Sequence, residues 1–561
     1  MHLTEKLASI AWWTRKREYP EADLSVAWKD LLFSEFHDIL PGSGIPEVEE
    51  DSLNLLGHAE EILRRKRAEI LISLLREEPL AERDETPIFI FNPHAWTVTR
   101  EVEIDFGIAQ QFGPDGVIRH VFRDGREIEA QFEKGADNLL NSAWGEWRAR
   151  AVFVTTIPPL SFQRFDTSFE AVPQEKIRRW QTPKLPSQDR LTVETDHHKF
   201  ILNLRTGLLD RYEVDGRAVL TAESCRPLVF ADTNHSWSTV PEWQESESTF
   251  ELATPLQAMR IIGSEHTHKA FPEGKPPISI LEDGPIRMIV EVIFVHGASY
   301  AVQRYVISKK SSSLRIEQNI FWTEHDKKLC IEVKHDPALT KLEVEKCYSV
   351  DDESNPPQPG SEMDFQGFLR FSDPASKTGA FAIVSHGTHG YSRRENRVRL
   401  NILRSPGYAT HEQNVPEDMD RYLNRFIPRQ EQGSRKAKFT FLFGENAATT
   451  DATVRGAQES NVPLDPFIYF PTNRNARKRK SSSFALVSAP NVILTTLKKT
   501  QTGDDLVFRF WETAGLKTNF KLTVEGKKFP LSIGPWQLKT YRLNRRGKLS
   551  EINLIEQPIK K

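Results

Sequence analysis

The sequence predicts an α+β multidomain protein, in which an N-terminal three-helix bundle is followed by large antiparallel β-sandwich domains. Two observations predict this class. From Leu3 to about Arg76, apolar residues recur at steps of three, four and seven, which places them on one face of a helix. After Glu77, short runs of β-branched and aromatic residues, separated by Gly, Pro, Asn and Asp, take over for most of the remaining length. The 561 residues are enough for about three to five domains.

Three helices are predicted in the first segment. Tyr19-Pro20 separates the first helix from the second, because the residue before a proline is pushed out of the α region. Trp12, Trp13 and Trp28 are a heavy aromatic load for a short bundle, and we interpret them as its core. The predicted helices cover residues 3–17, 22–38 and 46–76.

Strands are predicted throughout the rest of the chain. Pro87–Pro93 opens the β region, and Thr206-Gly207 and Asp215-Gly216 have the composition of hairpin turns. Leu314–Trp322 and Lys328–Val333 are predicted to be neighbouring strands of one broad sandwich. The predicted domains are the helical bundle at 1–85, a small β domain at 86–185, a large β-sandwich at 186–472 and a C-terminal β domain at 484–561, with a Lys-, Arg- and Ser-rich linker at 473–483.

Composition excludes several classes of partner. Lys plus Arg number 75 against 78 Asp plus Glu, a net charge of −3, so there is no electrostatic reason to expect nucleic acid or an anionic membrane. Cys225, Cys330 and Cys347 are too few and too scattered for a disulfide framework or a cysteine zinc site, which favours a reducing cytoplasm. We also find no signal-like segment after Met1 and no apolar run long enough to span a membrane.

The segment Phe-His-Asp-Ile-Leu-Pro-Gly-Ser at positions 36–43 is the most informative local feature. We expect the second helix to carry His37 and Asp38 side by side into a sharp Gly42-Ser43-Gly44 turn, at the corner between two helices. From spacing alone, these residues fit a histidine favoured by a helix C-terminus and an aspartate that caps the turn. A site at this corner, reaching toward a neighbouring domain, is the alternative.

This helical FHDILPGS stretch resembles the zinc-binding α-mannosidases of glycoside hydrolase family 38, in the subgroup of cytosolic and vacuolar enzymes. Further segments follow in the order found in that family, and several short motifs in sequence are much more specific than one. These segments are IFNPHAWTVTREVEI, LRTGLLDRYEVDGRAVL, LEDGPIRMIVEV, LRIEQNIFWTEHDKKLCIEV, RLNILRSPGYA and GDDLVFRFWETAG.

The resemblance implies a zinc site to which this chain contributes one part. Family members bind one Zn²⁺ through a His and an Asp of an early H-x-D motif, an Asp that is also the nucleophile, and the His of the corner motif. His37 corresponds to that last ligand, Asp38 to the neighbouring carboxylate that hydrogen-bonds sugar hydroxyls, and Tyr348 to a tyrosine of the β region that contacts sugar. No H-x-D-x-G-W occurs in this sequence, so no nucleophile or acid/base is assigned to it.

The leading hypothesis is therefore the C-terminal part of a retaining α-mannosidase that acts on terminal α-mannosides of glycans. We expect it to be inactive and zinc-poor without an N-terminal α/β catalytic domain, supplied in the same chain or a separate subunit. The bundle face toward that domain is expected to expose apolar surface. The chain could also form a homo-oligomer, and a vacuole- or lysosome-like compartment is an alternative to the cytoplasm.

The alternative from another class is a non-catalytic glycan-binding or scaffold protein, in which Trp237 and Trp243 stack on sugars. Burial or an inter-domain contact is the competing interpretation of both tryptophans. His197-His198 and His266-Thr267-His268 have the composition of metal sites but no recognisable ligand spacing, and we interpret them as surface loops. A Ser-His-Asp hydrolase is set aside because no G-x-S-x-G elbow occurs.

Overall fold

The structure is a computed structural model, and it confirms a helical N-terminal region followed by β-rich domains. Helices α1 (His2–Arg15), α2 (Glu21–Ser34) and α3 (Pro46–Leu75) form the bundle. Pro46 stands at the first helical position of α3, where its missing N–H costs no helical hydrogen bond. The described residues are 1–82, 85–107, 116–133, 148–172, 184–240, 242–263, 269, 272–355, 360–376, 379–409, 426, 428–474, 476 and 482–559.

The bundle packs against the C-terminal domain rather than around a core of its own. Leu7, Ile10 and Trp12 of α1 belong to the same buried cluster as Val492 and Phe508 of that domain. The C-terminal domain has two sheets, ordered β29-β32-β33 and β30-β31-β34-β35. Its strands are β29 (Ala485–Val487), β30 (Val492–Lys499), β31 (Leu506–Glu512), β32 (Thr518–Val524), β33 (Lys527–Ile533), β34 (Leu538–Leu543) and β35 (Leu549–Ile552).

The tryptophans of α1 face the C-terminal domain. The Arg545 guanidinium lies 4.4 Å from the Trp12 ring centre and 4.0 Å from that of Trp13. Trp12 is buried and Trp13 is partly buried. The prediction that these rings form the bundle core is therefore only partly correct, because much of their contact is to another domain.

The small β domain consists of two sheets. Their order is β28-β1-β7-β3-β4 and β2-β6-β5, so the first sheet includes a strand that returns from the end of the large domain. The strands are β1 (Thr86–Phe91), β2 (Val98–Gly107), β3 (Gly116–Arg123), β4 (Arg126–Ile128), β5 (Ala130–Glu133), β6 (Arg148–Ile157), β7 (Phe162–Val172) and β28 (Asp465–Ile468).

The large domain is a sandwich built on a six-stranded sheet, a ten-stranded sheet and a four-stranded sheet. Their orders are β13-β12-β19-β26-β25-β22, then β14-β16-β17-β18-β27-β24-β23-β20-β21 with β15 beside β16, and β11-β10-β9-β8. Helices α4 (Pro255–Ile262) and α5 (Thr450–Asn461) and a short 3₁₀ helix (Gly444–Ala447) accompany them.

The strands of the large domain are β8 (Arg190–Glu194), β9 (Lys199–Asn203), β10 (Leu209–Val214), β11 (Arg217–Leu220), β12 (Arg226–Ala231), β13 (Ser248–Thr249), β14 (Glu251–Leu252), β15 (Ile278–Asp283), β16 (Arg287–His296), β17 (Ser299–Ser308), β18 (Leu314–Trp322), β19 (Lys327–Lys334), β20 (Lys341–Lys346), β21 (Ser349–Asp352), β22 (Glu362–Asp364), β23 (Phe368–Ser372), β24 (Ala380–Ser385), β25 (Gly390–Arg394), β26 (Arg397–Arg404) and β27 (Gly433–Phe443).

Two strands that we predicted to be neighbours lie in different sheets. β18 belongs to the ten-stranded sheet and β19 to the six-stranded sheet, so the intervening residues 323–326 cross between the layers. Trp322 and Leu329 are both fully buried in the one core that the two sheets share. The periodicity of each strand was correct, but periodicity does not say which sheet a strand joins.

The predicted turn at Asp215-Gly216 is confirmed. Both residues have positive φ, 51° and 75°, as a two-residue hairpin turn between β10 and β11 requires. None of the described helices is long and apolar enough to span a bilayer.

Candidate functional site

The segment between α2 and α3, residues 35–45, carries His37 and Asp38, and we call it the corner. α2 ends at Ser34, whereas the prediction extends it to residue 38, so both residues lie beyond the helix. The N–H of Phe36 donates to the Phe33 carbonyl at 3.1 Å, only three residues back, which tightens the last turn. Pro41 disfavours helical geometry at the residue before it.

His37 is presented to solvent, and Asp38 is half-enclosed beside it. The imidazole is 78% exposed, and its Nε2 lies 3.5 Å from Asp38 Oδ2. The ring of Phe36 packs beside that of His37, with centres 4.3 Å apart. Asp38 Oδ1 is inaccessible to solvent and has no hydrogen-bond partner among the described residues. The corner thus presents an open imidazole next to an acceptor oxygen whose hydrogen bonding is incomplete.

Three hydrogen bonds join this region to the large domain, and we call them the corner clamp. Gln430 Nε2 donates to the carbonyl of Gly42 at 2.7 Å. The N–H of Ala409 donates to the carbonyl of Gly44 at 3.0 Å. The Tyr408 hydroxyl donates to the carboxylate of Glu49, in the first turn of α3. Gly42 has a φ of +74°, which lies in the left-handed region that favours glycine. A residue with a side chain would therefore strain the backbone at the point where the Gly42 carbonyl accepts its hydrogen bond.

Large apolar side chains are exposed on the two helices that flank the corner and within it. Leu40 is 72% exposed and Phe33 is 61% exposed. On α2 only Leu24, Ala27 and Ser34 are buried. A monomeric protein seldom exposes so many large apolar groups in neighbouring segments of its chain, and exposed apolar patches usually mark contact with another protein surface. The exposed set is Val26, Leu32, Phe33, Phe36, Leu40, Ile45, Leu53 and Leu56.

The donors at the corner do not complete a metal site by themselves. Catalytic zinc usually has about three protein ligands, and the described residues offer only His37 and Asp38 here. Across the described part of the chain, no group of three His, Cys, Asp or Glu is arranged to hold a metal ion.

The paired histidines do not form a metal site either. His197 is exposed, but His198 is 4% exposed and stacks on Tyr212 with ring centres 5.0 Å apart. Burial lowers the pKa of His198 to about 4. The interpretation of this pair as a surface loop is therefore wrong for His198, which is a core residue. His266 and His268 lie outside the described residues.

Tyr348 lies at the turn between β20 and β21, and its ring meets Trp511 of the C-terminal domain edge-on, with centres 5.8 Å apart. It is 42% exposed. The corner contacts a different part of the large domain, the connection between β26 and β27. A role for Tyr348 in sugar binding stays a prediction, as do the roles of His37 and Asp38.

The two candidate sugar-stacking tryptophans have different environments. Trp237 is 58% exposed. Trp243 is partly buried, and the guanidinium of Arg399 lies 3.5 Å from its ring centre. A face covered by a guanidinium is not available to a sugar, so only Trp237 keeps an open ring.

Sequence reasoning missed the clamp residues. Gln430 lies 388 residues from Gly42 along the chain, and Tyr408 lies 359 residues from Glu49. Each is an ordinary polar residue in a loop. The sequence pointed to Tyr408 in one way: it lies in RLNILRSPGYA, one of the segments that resemble the family.

The structure belongs to the class of multidomain proteins in which a helical bundle precedes antiparallel β-sandwich domains. Residues 1–72 match the alpha mannosidase middle domain. Residues 193–412 match the glycosyl hydrolases family 38 C-terminal domain, and residues 491–561 match the family 38 C-terminal beta sandwich domain. The chain therefore belongs to glycoside hydrolase family 38, and it corresponds to the middle and C-terminal domains of that family.

Individual relatives agree. Alpha-mannosidase G of Dictyostelium discoideum is 20% identical over 565 residues, which cover 93% of this chain and 46% of that protein. The crystal structure of an alpha-mannosidase from Enterococcus faecalis V583 matches with a TM-score of 0.69 and 14% identity, over 97% of this chain and 66% of that one. A family 38 protein from the same species gives a TM-score of 0.70 at 15% identity, over 97% and 68%. The chain thus spans about half the length of the curated relative.

Proposed function

We propose that this chain is the C-terminal part of a zinc-dependent retaining α-mannosidase that hydrolyses terminal α-mannosides of glycans. It acts only together with an N-terminal α/β catalytic domain, present in the same polypeptide or in a separate subunit. His37 supplies one zinc ligand, Asp38 accepts hydrogen bonds from sugar hydroxyls, and the nucleophile and the acid/base come from the catalytic domain. Bound zinc would supply Lewis-acid chemistry and positions for vicinal hydroxyls.

One observation carries this proposal: His37 is 78% exposed in a segment whose large apolar side chains are exposed as well. An imidazole that lies close in the chain to exposed Phe33, Phe36 and Leu40 suits a place where another domain closes over it. The enclosed, incompletely bonded Oδ1 of Asp38 supports the same arrangement, because it keeps an acceptor for a ligand that arrives with that domain.

Co-expression with a family 38 catalytic domain is expected to give zinc-dependent release of the aryl group from an aryl α-mannoside. The His37→Ala variant should lose most of this activity, on the order of a hundredfold or more, because a metal ligand is removed. His58→Ala is the matched control, since His58 is also an exposed histidine of the bundle and pairs only with Asp30 at 2.8 Å. Well-folded partners that stay inactive together would count against the proposal.

The apolar surface makes a second prediction for the chain alone. It is expected to bind a hydrophobic dye or to self-associate, and the Phe33→Glu/Leu40→Glu double variant should reduce both, because a charged side chain cannot be buried without a partner. Fluorescence of the dye and analytical ultracentrifugation measure the two effects. A monodisperse wild-type monomer without dye binding would contradict this expectation.

The alternative, a non-catalytic glycan-binding or scaffold protein, is favoured only by the open ring of Trp237. Titration of the chain alone with mannosides separates the two functions. Saturable quenching of tryptophan fluorescence that disappears in Trp237→Ala would support a lectin-like role.

A further inference from the structure

Among the described residues, the corner clamp supplies the hydrogen bonds from the large domain to the corner. Phe36, His37 and Leu40 are exposed, Ser43 is buried at 4% exposed, and the backbone hydrogen bonds inside the segment are local, such as Ile39 N–H to the Phe36 carbonyl at 2.9 Å. Local turns of this kind open easily when few buried side chains support them. The direction in which His37 points is therefore set by whatever fixes Gly42 and Gly44 at the far end of the segment.

The other side of the clamp is firmly held. The N–H of Gln430 donates to the Pro406 carbonyl at 3.0 Å, and Gln432 Nε2 donates to the Gln430 carbonyl at 3.3 Å. The neighbouring Arg429 is 8% exposed, and its Nε lies 2.9 Å from Asp326 Oδ1. Gln430 thus reaches the corner from a loop that is tied on both sides to the large domain.

The position of Tyr408 is equally constrained. Gly407, just before it, donates its N–H to the Asn234 carbonyl at 3.0 Å. Ala409, just after it, is the residue whose N–H reaches Gly44. Its hydroxyl therefore meets Glu49 from a backbone that the Gly407 hydrogen bond fixes to the large domain, and it ties the start of α3 to the same loop system as Gln430.

We propose that Gln430 and Tyr408 are positioning residues for His37: the large β domain sets the geometry of the corner from a distance, through the carbonyl of Gly42 and the carboxylate of Glu49. The catalytic consequence rests on the proposed function, whereas the anchoring of the corner does not. The large β domain then orients the imidazole of His37 in addition to supporting the fold.

Hydrogen–deuterium exchange on the chain alone tests the anchoring. Gln430→Glu keeps the size of the side chain but removes its N–H donor, and Tyr408→Phe removes only the hydroxyl. In each variant the amides of residues 35–45 should exchange about five to ten times faster than in the wild type, the effect expected from the loss of one hydrogen bond. Unchanged exchange in this segment for both variants would overturn the proposal.

Two matched controls come from the same domain. Asn396 Nδ2 donates to the His335 carbonyl at 3.0 Å, and the Tyr391 hydroxyl donates to the Glu353 carboxylate, both outside the clamp. Asn396→Asp and Tyr391→Phe remove the same kinds of hydrogen bond. They should leave the exchange of residues 35–45 at the wild-type rate. Equal acceleration in the controls would mean that general loosening, and not the clamp, governs the corner, and would overturn the proposal.

Activity in the reconstituted enzyme tests the consequence. Gln430→Glu and Tyr408→Phe should each lower kcat/KM for an aryl α-mannoside about tenfold, with unchanged melting temperature, because a small misplacement of a ligand side chain is costly. The control variants should keep wild-type kcat/KM. Full activity in variants with faster exchange would overturn the positioning role. If the wild-type pair is inactive, the proposed function fails, while the exchange rates still decide whether the clamp sets the corner.

Discussion

Between pH 7 and pH 5 the free energy of unfolding is expected to fall, because several histidines are buried in the neutral form. Burial lowers the pKa of His94 to about 3 and the pKa values of His198 and His335 to about 4. All three are at most 4% exposed. His386, which is less buried, has a pKa lowered to about 3 and acts in the same direction.

The sign follows from proton uptake. The unfolded chain takes up a proton at each histidine near pH 6.5, whereas the folded chain stays neutral until the pH falls to the lowered pKa. Stability is therefore fully present above the unfolded pKa and is lost as the pH falls below it. At pH 5 each buried histidine should cost about 2 kcal/mol.

Among the described residues, burial raises the pKa of four carboxyl groups, which act in the opposite direction: Glu5, Asp465, Glu133 and Glu345. Burial raises the pKa of Glu345 to about 7, and burial together with the charge of Glu282 raises the pKa of Glu133 to about 7. Each of these groups keeps its proton longer in the folded chain, so its penalty grows as the pH rises above about 4.5 and is relieved on acidification. Glu345, at 8% exposed, should return about 2 kcal/mol between pH 7 and pH 5, and the more accessible Glu133 less. The histidines outweigh them.

Urea unfolding at pH 7 and pH 5 measures the balance. His335→Asn keeps a donor for the Asp336 carbonyl, which lies 2.9 Å from Nδ1 of His335. This variant should reduce the loss of unfolding free energy between pH 7 and pH 5 by about 2 kcal/mol. Glu345→Gln should enlarge the loss by a similar amount. His37→Asn is the control, because His37 is exposed. Equal stability at both pH values would contradict this expectation.

Replacing Arg287 is expected to destabilise the joint between the small and large β domains by about 3–5 kcal/mol. Arg287 is 1% exposed, and its guanidinium lies 2.7 Å from Glu282, 2.9 Å from Glu101 and 2.5 Å from Glu103. Glu282 is on the same hairpin, whereas both other carboxylates are on β2. Removing the guanidinium therefore leaves Glu282, which is 9% exposed, without its cation, beside Glu101 at 21% and Glu103 at 36% exposed. Glu103 keeps its ion pair with Arg150 at 3.0 Å.

Uncharged hydrogen bonds at the same joint hold the turn between β15 and β16 against the small domain. The side-chain oxygen of Gln131, on β5, accepts the N–H groups of Ile286 at 3.1 Å and Arg287 at 3.0 Å. A Cβ at Gly284 would lie 2.2 Å from the Gln131 side chain, so the turn approaches the small domain more closely than any other residue type permits. Arg287 and Glu282 thus sit in a tightly fitted contact, whereas Glu101 and Glu103 are partly exposed.

Urea unfolding of Arg287→Ala tests this joint, and Arg226→Ala is the matched control. Arg226 pairs with Glu223 at 2.7 Å in the large domain, and the two side chains are 27% and 47% exposed. A partly solvated pair should contribute no more than about 1 kcal/mol. Similar losses in the two variants would show that water reaches Arg287 and that the cluster is not effectively buried.

Local sequence patterns were sufficient for much of the fold. The period of the apolar residues gave three helices with ends that are correct to within a few residues, and alternation with turn chemistry located strands such as Leu314–Trp322. The end of α2 was misplaced because the sequence does not show that the last turn tightens at Phe36. The two small helices of the large domain, α4 and α5, were not predicted.

For the candidate site, local sequence specified the residue types and their neighbourhood: an imidazole and a carboxylate side by side in a Pro- and Gly-containing turn between two helices. The folded structure adds that His37 is open to solvent, that the nearby Phe33, Phe36 and Leu40 are exposed, and that Gln430 and Tyr408 hold the turn from the large domain. The difference lies in the range of the interactions. Helix and turn propensities act over a few residues, whereas the clamp, the choice of sheet for β18 and β19 and the Arg287 joint depend on contacts between residues far apart in the chain.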